Sequence, residues 1–249
     1  MDDAARLAEL ERYHREEVAT CTRCPLSAGR TTVVLGSGSP DAEVMFVGEA
    51  PGYHEDQRGL PFVGQAGKLL GGLLEGIGLA REDVFIANVL KCRPPDNRDP
   101  RPEEIEACEP HLFRQVRLIQ PLVVCTLGNF ATRLLSGRRD GITRVHGCEL
   151  PITLGGRAVL LYPLFHPAAA LYARATLGTL EADFARIPAL LERARADRDG
   201  EPRPEPQAAA APAAGNPHVE VEARPEPEPE PAAAPAVAAP PDGEQLGLF

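Results

Sequence analysis

The chain has 249 residues, 43% of them apolar, which suits one large domain or two small ones. Its formal net charge of −10 is uneven: the stretch from Asp197 onward holds eleven acids against three bases, leaving only −2 for residues 1–196. A near-neutral body neither requires nor excludes a nucleic-acid partner, since a local basic face is enough for phosphate contacts, and no stretch reaches the ~18 apolar residues of a membrane span.

In chain order, residues 2–19 space Leu7, Leu10 and Val18 among charges, the pattern of a solvated helix. "AEVMFVG" and "DVFIANVL" read as short buried strands, with the helically spaced "GKLLGGLLEGIGL" between them. "RPEEIEACEPHLFRQVRLI" opens with Pro102 and two acids, a helix start, and Pro110 is expected to kink or break it. "PLVVCTLG" is a further strand, "NFATRLLSG" a helix, "RAVLLYPLFHP" a strand and "LGTLEADFARIPALLERARA" a closing helix. The alternation predicts an α/β fold, a three-layer α/β/α body over residues 1–196 with a central, mainly parallel four-stranded sheet. In such sheets the loops at the carboxyl ends of the strands carry the site.

From Asp197 the composition turns to Pro, Ala and Glu, with twelve prolines, and residues 197–243 are expected to be an extended, disordered linker. The last residues, 244–249, break that pattern: "EQLGLF" places Leu246, Leu248 and Phe249 at the end of a tether, where a groove-docking peptide would carry its anchors. The opening "MDDAARLAEL" is acidic and lacks a signal-peptide core, which points to the cytoplasm. In that reducing compartment six cysteines read as ligands, catalytic groups or core residues more readily than as disulfides.

Cys21 and Cys24 form a C-x-x-C, a spacing that lets two thiolates share one metal or cluster. Cys92 follows a strand in "VLKCRPP" and Cys108 lies on a helix in "EEIEACEP", both among charged or proline-rich neighbours. Cys125 looks like a small core residue, and Cys148 has no evident role. Four candidate thiolates suit zinc or a [4Fe–4S] cluster, and spacing does not choose between them.

Three strand-end loops, "GEAPGYHED", "ANVLKCRPP" and "FHPAAAL", stand beside "GLPFVGQAG" and "KCRPPDNRDPRPEEIEAC". With the four cysteines, and over residues 19–190, they resemble a family 4 uracil-DNA glycosylase, the iron–sulfur branch of that superfamily. The resemblance implies excision of uracil from DNA as the first step of base excision repair. It also implies a [4Fe–4S] cluster on Cys21, Cys24, Cys92 and Cys108, and a monomer. In the family a histidine matching His166 in "FHP" donates to the uracil O2 as negative charge builds on the departing base. A residue matching Asn88 reads N3–H and O4, an order of donor and acceptor that cytosine reverses. The aromatic matching Phe62 stacks on the flipped base, positions matching Glu49 and Ala50 line the pocket, and Glu55 lies near the base.

Without the resemblance, His166 would be a surface or capping residue, Asn88 a turn residue and Phe62 an ordinary core ring. Family 1 members place a water-activating Asp where Ala50 stands, so Glu55 or Glu49 takes that role here, or stabilising the sugar cation suffices. Asp56 and His54 are expected to face solvent or hold the loop. Leu171 or Tyr172 is the candidate wedge into the DNA stack, with Arg174, and Arg144 beside His146, available to phosphates. "QLGLF", with Gln245, Leu246, Leu248 and Phe249, is similar to the peptides by which bacterial repair proteins bind the sliding clamp.

Two other readings compete. A covalently trapped relative carries Gln at the Ala50 position and a histidine near residues 92–98, which "CRPPDNRDP" lacks. A non-catalytic iron–sulfur DNA-binding module would not need Asn88 and His166. No phosphate-binding glycine loop opens a helix, which disfavours a nucleotide-binding enzyme of another doubly wound family.

Overall fold

The computed structural model describes residues 3–200, so the clamp-like peptide and nearly all of the expected linker lie outside the described residues. Helix α1 (Asp3–Tyr13) runs on into a π-helical turn over His14–Val18, and Leu10, Tyr13 and Val18 supply its buried face. The following elements are β1 (Ser37–Gly38), β2 (Val44–Gly48), α2 (Tyr53–Arg58), α3 (Gln65–Gly76) and β3 (Phe85–Asn88). Next come α4 (Pro102–Ile119), β4 (Val123–Leu127), α5 (Asn129–Ser136), α6 (Ile142–Val145), β5 (Leu150–Leu154) and β6 (Arg157–Leu164). Helices α7 (Pro167–Ala170), α8 (Arg174–Phe184) and α9 (Ile187–Gly200) follow.

The sheet has six strands in the order β1-β3-β2-β4-β6-β5. Its centre is the expected parallel set: β2 pairs in parallel with β3 and β4, and β4 with β6. The expected four strands become six because two antiparallel edge strands flank that set. They left little trace in the sequence: β1 spans two residues, and β5 carries Pro151 in an amphipathic run.

Side-chain alternation divides the core into two layers. Met45, Val47, Ala87, Val124 and Leu161 face one side, where Leu112 and Val116 of α4 and Ala131 of α5 cover them. Val44, Phe46, Ile86, Cys125 and Tyr162 face the other, under Leu70 and Leu74 of α3, Phe184 of α8 and Leu190 of α9. The three-layer α/β/α arrangement follows. Among the described residues no helix is long and apolar enough to cross a membrane.

Two local expectations change. Pro110 lies inside α4 without ending it; the helix continues to Ile119, with Leu112, Val116 and Ile119 buried beyond the proline. The closing helix is two helices, because α8 ends at Phe184 and Pro188 sits in the first turn of α9, where a missing N–H is no loss. Helix α9 runs to Gly200.

Candidate active site

Parallel pairing sets Gly48 at the end of β2 opposite Asn88 at the end of β3. A Cβ on Gly48 would overlap Asn88 Oδ1 and come within 2.8 Å of Phe62 Cζ. Glycine therefore lets the carboxamide and the ring close over the same strand end. Asn88 is 2% exposed, and among the described residues its carboxamide makes no hydrogen bond within the protein. Phe62 adopts a positive φ of 53°, and its carbonyl occupies the space that a Cβ on Gly67 would fill. Its ring lies against the His166 ring, centroids 5.7 Å apart and planes 29° from parallel. Phe62 is thus both a core residue, as its composition suggests, and a neighbour of the two polar groups.

His166 ends the loop after β6 and caps α7, its Nδ1 accepting the Ala168 N–H at 3.1 Å. An Nδ1 that accepts leaves the proton of a neutral imidazole on Nε2. Burial pushes the His166 pKa down to about 4, and the nearby Glu55 carboxylate offsets this only in part. At neutral pH the ring is an uncharged donor through Nε2–H.

The loop between β2 and α3 is organised by its own acids. Glu55 Oε1 accepts the N–H groups of Val63 and Gly64 at 2.9 and 3.0 Å, which pins the segment that presents Phe62. Asp56 is buried and accepts the Thr31 N–H at 3.0 and 3.1 Å, so it holds the loop from below, while His54 is exposed. Both fall within a short helix, α2, where the sequence suggested only turn. Glu49 and Ala50 are half-buried between the strand end and this helix, and the Glu49 carbonyl accepts the Leu90 N–H at 3.0 Å.

The remaining candidates are exposed or half-buried. Leu171 is 41% exposed and Tyr172 91% exposed directly after α7, with Arg174 exposed at the start of α8. Arg144 is exposed on α6, 3.9 Å from Asp140. His146 is tied back by Asp183 Oδ2 at 2.7 Å and lies 4.8 Å from the Phe165 ring.

Cys92 and Cys108 belong to one core cluster with Cys24 packed against it, and Cys24 and Cys21 both act electrostatically on Cys92. Among the described residues none of the cysteines is disulfide-bonded, and no three His, Cys, Asp or Glu side chains close to the spacing of a single metal ion. Sulfur-directed donors surround the group: the Lys91 N–H reaches Cys108 Sγ at 3.2 Å, Arg30 Nη1 reaches Cys92 Sγ at 3.4 Å, and Arg23 Nε reaches Cys21 Sγ at 3.5 Å. Soft thiol donors with amide and guanidinium donors around them are the chemistry that suits an anionic iron–sulfur cluster. Cys125 is buried within β4 and Cys148 exposed, both apart from this group.

Sequence reasoning missed two residues here. Lys91 is 1% exposed, its Nζ donating to the Asn88 carbonyl and to Gln115 Oε1, each at 2.6 Å. Gln115 Nε2 in turn donates to the Leu35 carbonyl at 2.6 Å. A lysine at the end of the apolar run "VFIANVLK" was the available signal, since such a residue is seldom buried without a partner.

A planar ring entering beside Phe62 would meet a hydrogen-bonding edge at Asn88 and a neutral donor at His166. The comparisons agree with that geometry: the family model described as the uracil DNA glycosylase superfamily matches residues 35–190, and the chain belongs to that superfamily. Within it the similarity is to the type-4 branch. A type-4 uracil-DNA glycosylase of Sulfurisphaera tokodaii is 46% identical over 181 residues, covering 71% of this chain and 82% of the relative. One from Archaeoglobus fulgidus is 47% identical over 70% of this chain and 89% of the relative. A type-5 uracil-DNA glycosylase of Thermus thermophilus is more distant, at 32% identity over 51% of this chain.

Proposed function

We propose that the protein is an enzyme that excises uracil from DNA by hydrolysing the N-glycosidic bond and so initiates base excision repair. The observation that carries this reading is that the neutral His166 donor and the Asn88 carboxamide both lie beside Phe62 at the ends of parallel strands. Uracil within a duplex shields its C1′, so the nucleotide first leaves the stack. Leu171 or Tyr172 fills the gap, and Arg174 and Arg144 meet phosphates. The extruded base stacks on Phe62, and the Asn88 carboxamide accepts N3–H and donates to O4. Cytosine would leave both groups mispaired, each at a cost of about 1–3 kcal/mol.

The C1′–N1 bond then breaks with its electron pair remaining on the base, leaving an oxocarbenium-like sugar. His166 Nε2–H is aimed at O2, where the negative charge develops; a preorganised donor of this kind is worth roughly 3–4 kcal/mol. Water adds through oxygen to C1′ and releases a proton, and the uracil anion takes one up. Ala50 has no group to activate that water. Glu55 and Glu49 are the carboxylates at hand, and Glu55 already spends Oε1 on two backbone amides.

Cys21, Cys24, Cys92 and Cys108 would hold a [4Fe–4S] cluster, which would crosslink the N-terminal segment to the loop after β3 and to α4. Gln245, Leu246, Leu248 and Phe249, outside the described residues, would engage a sliding clamp and raise the local concentration of enzyme on DNA. The enzyme acts as a monomer in the cytoplasm.

The test is release of free uracil from an oligonucleotide carrying one deoxyuridine, followed by chromatography, with a thymine oligonucleotide beside it. Free uracil from the first alone supports the reading. No release with the cluster present contradicts it, and a covalent protein–DNA band in that case would favour the trapped relative.

A further inference from the structure

The residue that the excision chemistry leaves unused is the buried Lys91. Its ammonium has two oxygen partners, the Asn88 carbonyl and Gln115 Oε1, and among the described residues no carboxylate pairs with it. A buried ammonium is expensive unless it is hydrogen-bonded, and these two oxygens are what hold it. The main chain of the same residue donates to Cys108 Sγ at 3.2 Å. Gln115 stands seven residues after Cys108 on α4, two turns along one face, and is anchored by the Leu35 carbonyl. Lys91 therefore touches the cysteine group with its backbone and the base-reading strand end with its side chain.

Building on the reading of Asn88 given above, we propose that Lys91 is a positioning residue for Asn88, fixing the peptide that carries the carboxamide and tying it, with Gln115, to the cysteine group. That peptide is held from two sides: its Val89 N–H donates to the Gly48 carbonyl at 2.9 Å, and its Asn88 carbonyl accepts from the Lys91 ammonium at 2.6 Å. Among the described residues the carboxamide has no intramolecular hydrogen bond to keep its direction, which makes the orientation of its backbone decisive.

The experiment is a double-mutant cycle of Lys91→Met and Asn88→Ala, read as single-turnover uracil release, with the visible absorption of the cluster recorded for each variant. Methionine keeps the length of the side chain and removes the donor. The expected result is a loss of about tenfold or more from Lys91→Met in the wild-type background, cluster absorption retained, and little further loss in the Asn88→Ala background. An equal loss in both backgrounds would overturn the proposal, as would no loss in either. If Lys91→Met does not fold, Gln115→Met removes one end of the link, and the same cycle with Asn88→Ala decides on the same criterion. Absence of uracil release from the wild-type protein would overturn the functional reading itself and is thereby distinguished from failure of the Lys91 role.

Discussion

The backbone N–H of Ala168 donates to Nδ1 of His166 at 3.1 Å, and that one contact decides which ring nitrogen carries the proton. It would be lost on protonation, because an imidazolium has no acceptor. Burial works in the same direction, holding the His166 pKa down to about 4 against an ordinary value near 6.5. The single-turnover rate should therefore show no histidine inflection near pH 6.5 and should fall only toward pH 4. The sign for stability follows from linkage. Between pH 6.5 and about 4 the unfolded chain binds a proton that the folded ring refuses, so this group costs stability increasingly as pH drops through that window. A histidine NMR titration comparing wild type with His166→Gln checks both; a ring titrating near 6.5 contradicts the neutral-donor account.

Gly48 is the point on which Asn88 and Phe62 close. Gly48→Ala would drive a methyl into Asn88 Oδ1 and to within 2.8 Å of Phe62 Cζ. Displacement of the reading edge by about an ångström should lower kcat/KM roughly 10²-fold. Thermal unfolding and excision kinetics measured together check that activity falls far more than the melting temperature.

Glu55 has two possible duties, and a pair of variants separates them. If its main work is to hold the Val63 and Gly64 amides, Glu55→Gln retains an acceptor oxygen and most of the activity, while Glu55→Ala loses about tenfold or more. If the carboxylate activates water, the two variants fall together. Steady-state kcat at fixed pH distinguishes the outcomes.

The cysteines should sort into two sets. Cys92→Ser and Cys108→Ser are expected to abolish visible cluster absorption and lower the melting temperature, because their thiols are buried in the core. Cys125→Ala, deep in β4, should keep the absorption and lose stability only by the cavity it leaves, and Cys148→Ser should do neither.

The four central strands were legible because each is an apolar run bounded by turn residues, and a parallel sheet buried on both faces needs no more. The edge strands were not, since Ser37–Gly38 and Leu150–Leu154 owe their pairing to neighbours in space. Pro110 misled because the local rule counts a lost hydrogen bond and a clash, whereas burial of Leu112, Val116 and Ile119 beyond it keeps α4 going. The motifs singled out His166, Asn88, Phe62 and Glu55 one by one, but their relations were invisible. That Glu55 grips the loop of Phe62, that Asp56 holds Thr31, and that Lys91 turns back to Asn88 and across to Gln115 depend on the path of the chain, which no spacing encodes.

The measurement closest to the central claim is alkali-revealed cleavage at a single deoxyuridine in a labelled oligonucleotide, with wild-type protein beside His166→Ala. The account predicts strand breaks at uracil with wild type and a rate lower by roughly 10²-fold or more in the variant, cluster absorption unchanged. Equal cleavage by the two proteins would contradict the donor role of His166, and no cleavage by cluster-containing wild type would contradict the excision of uracil.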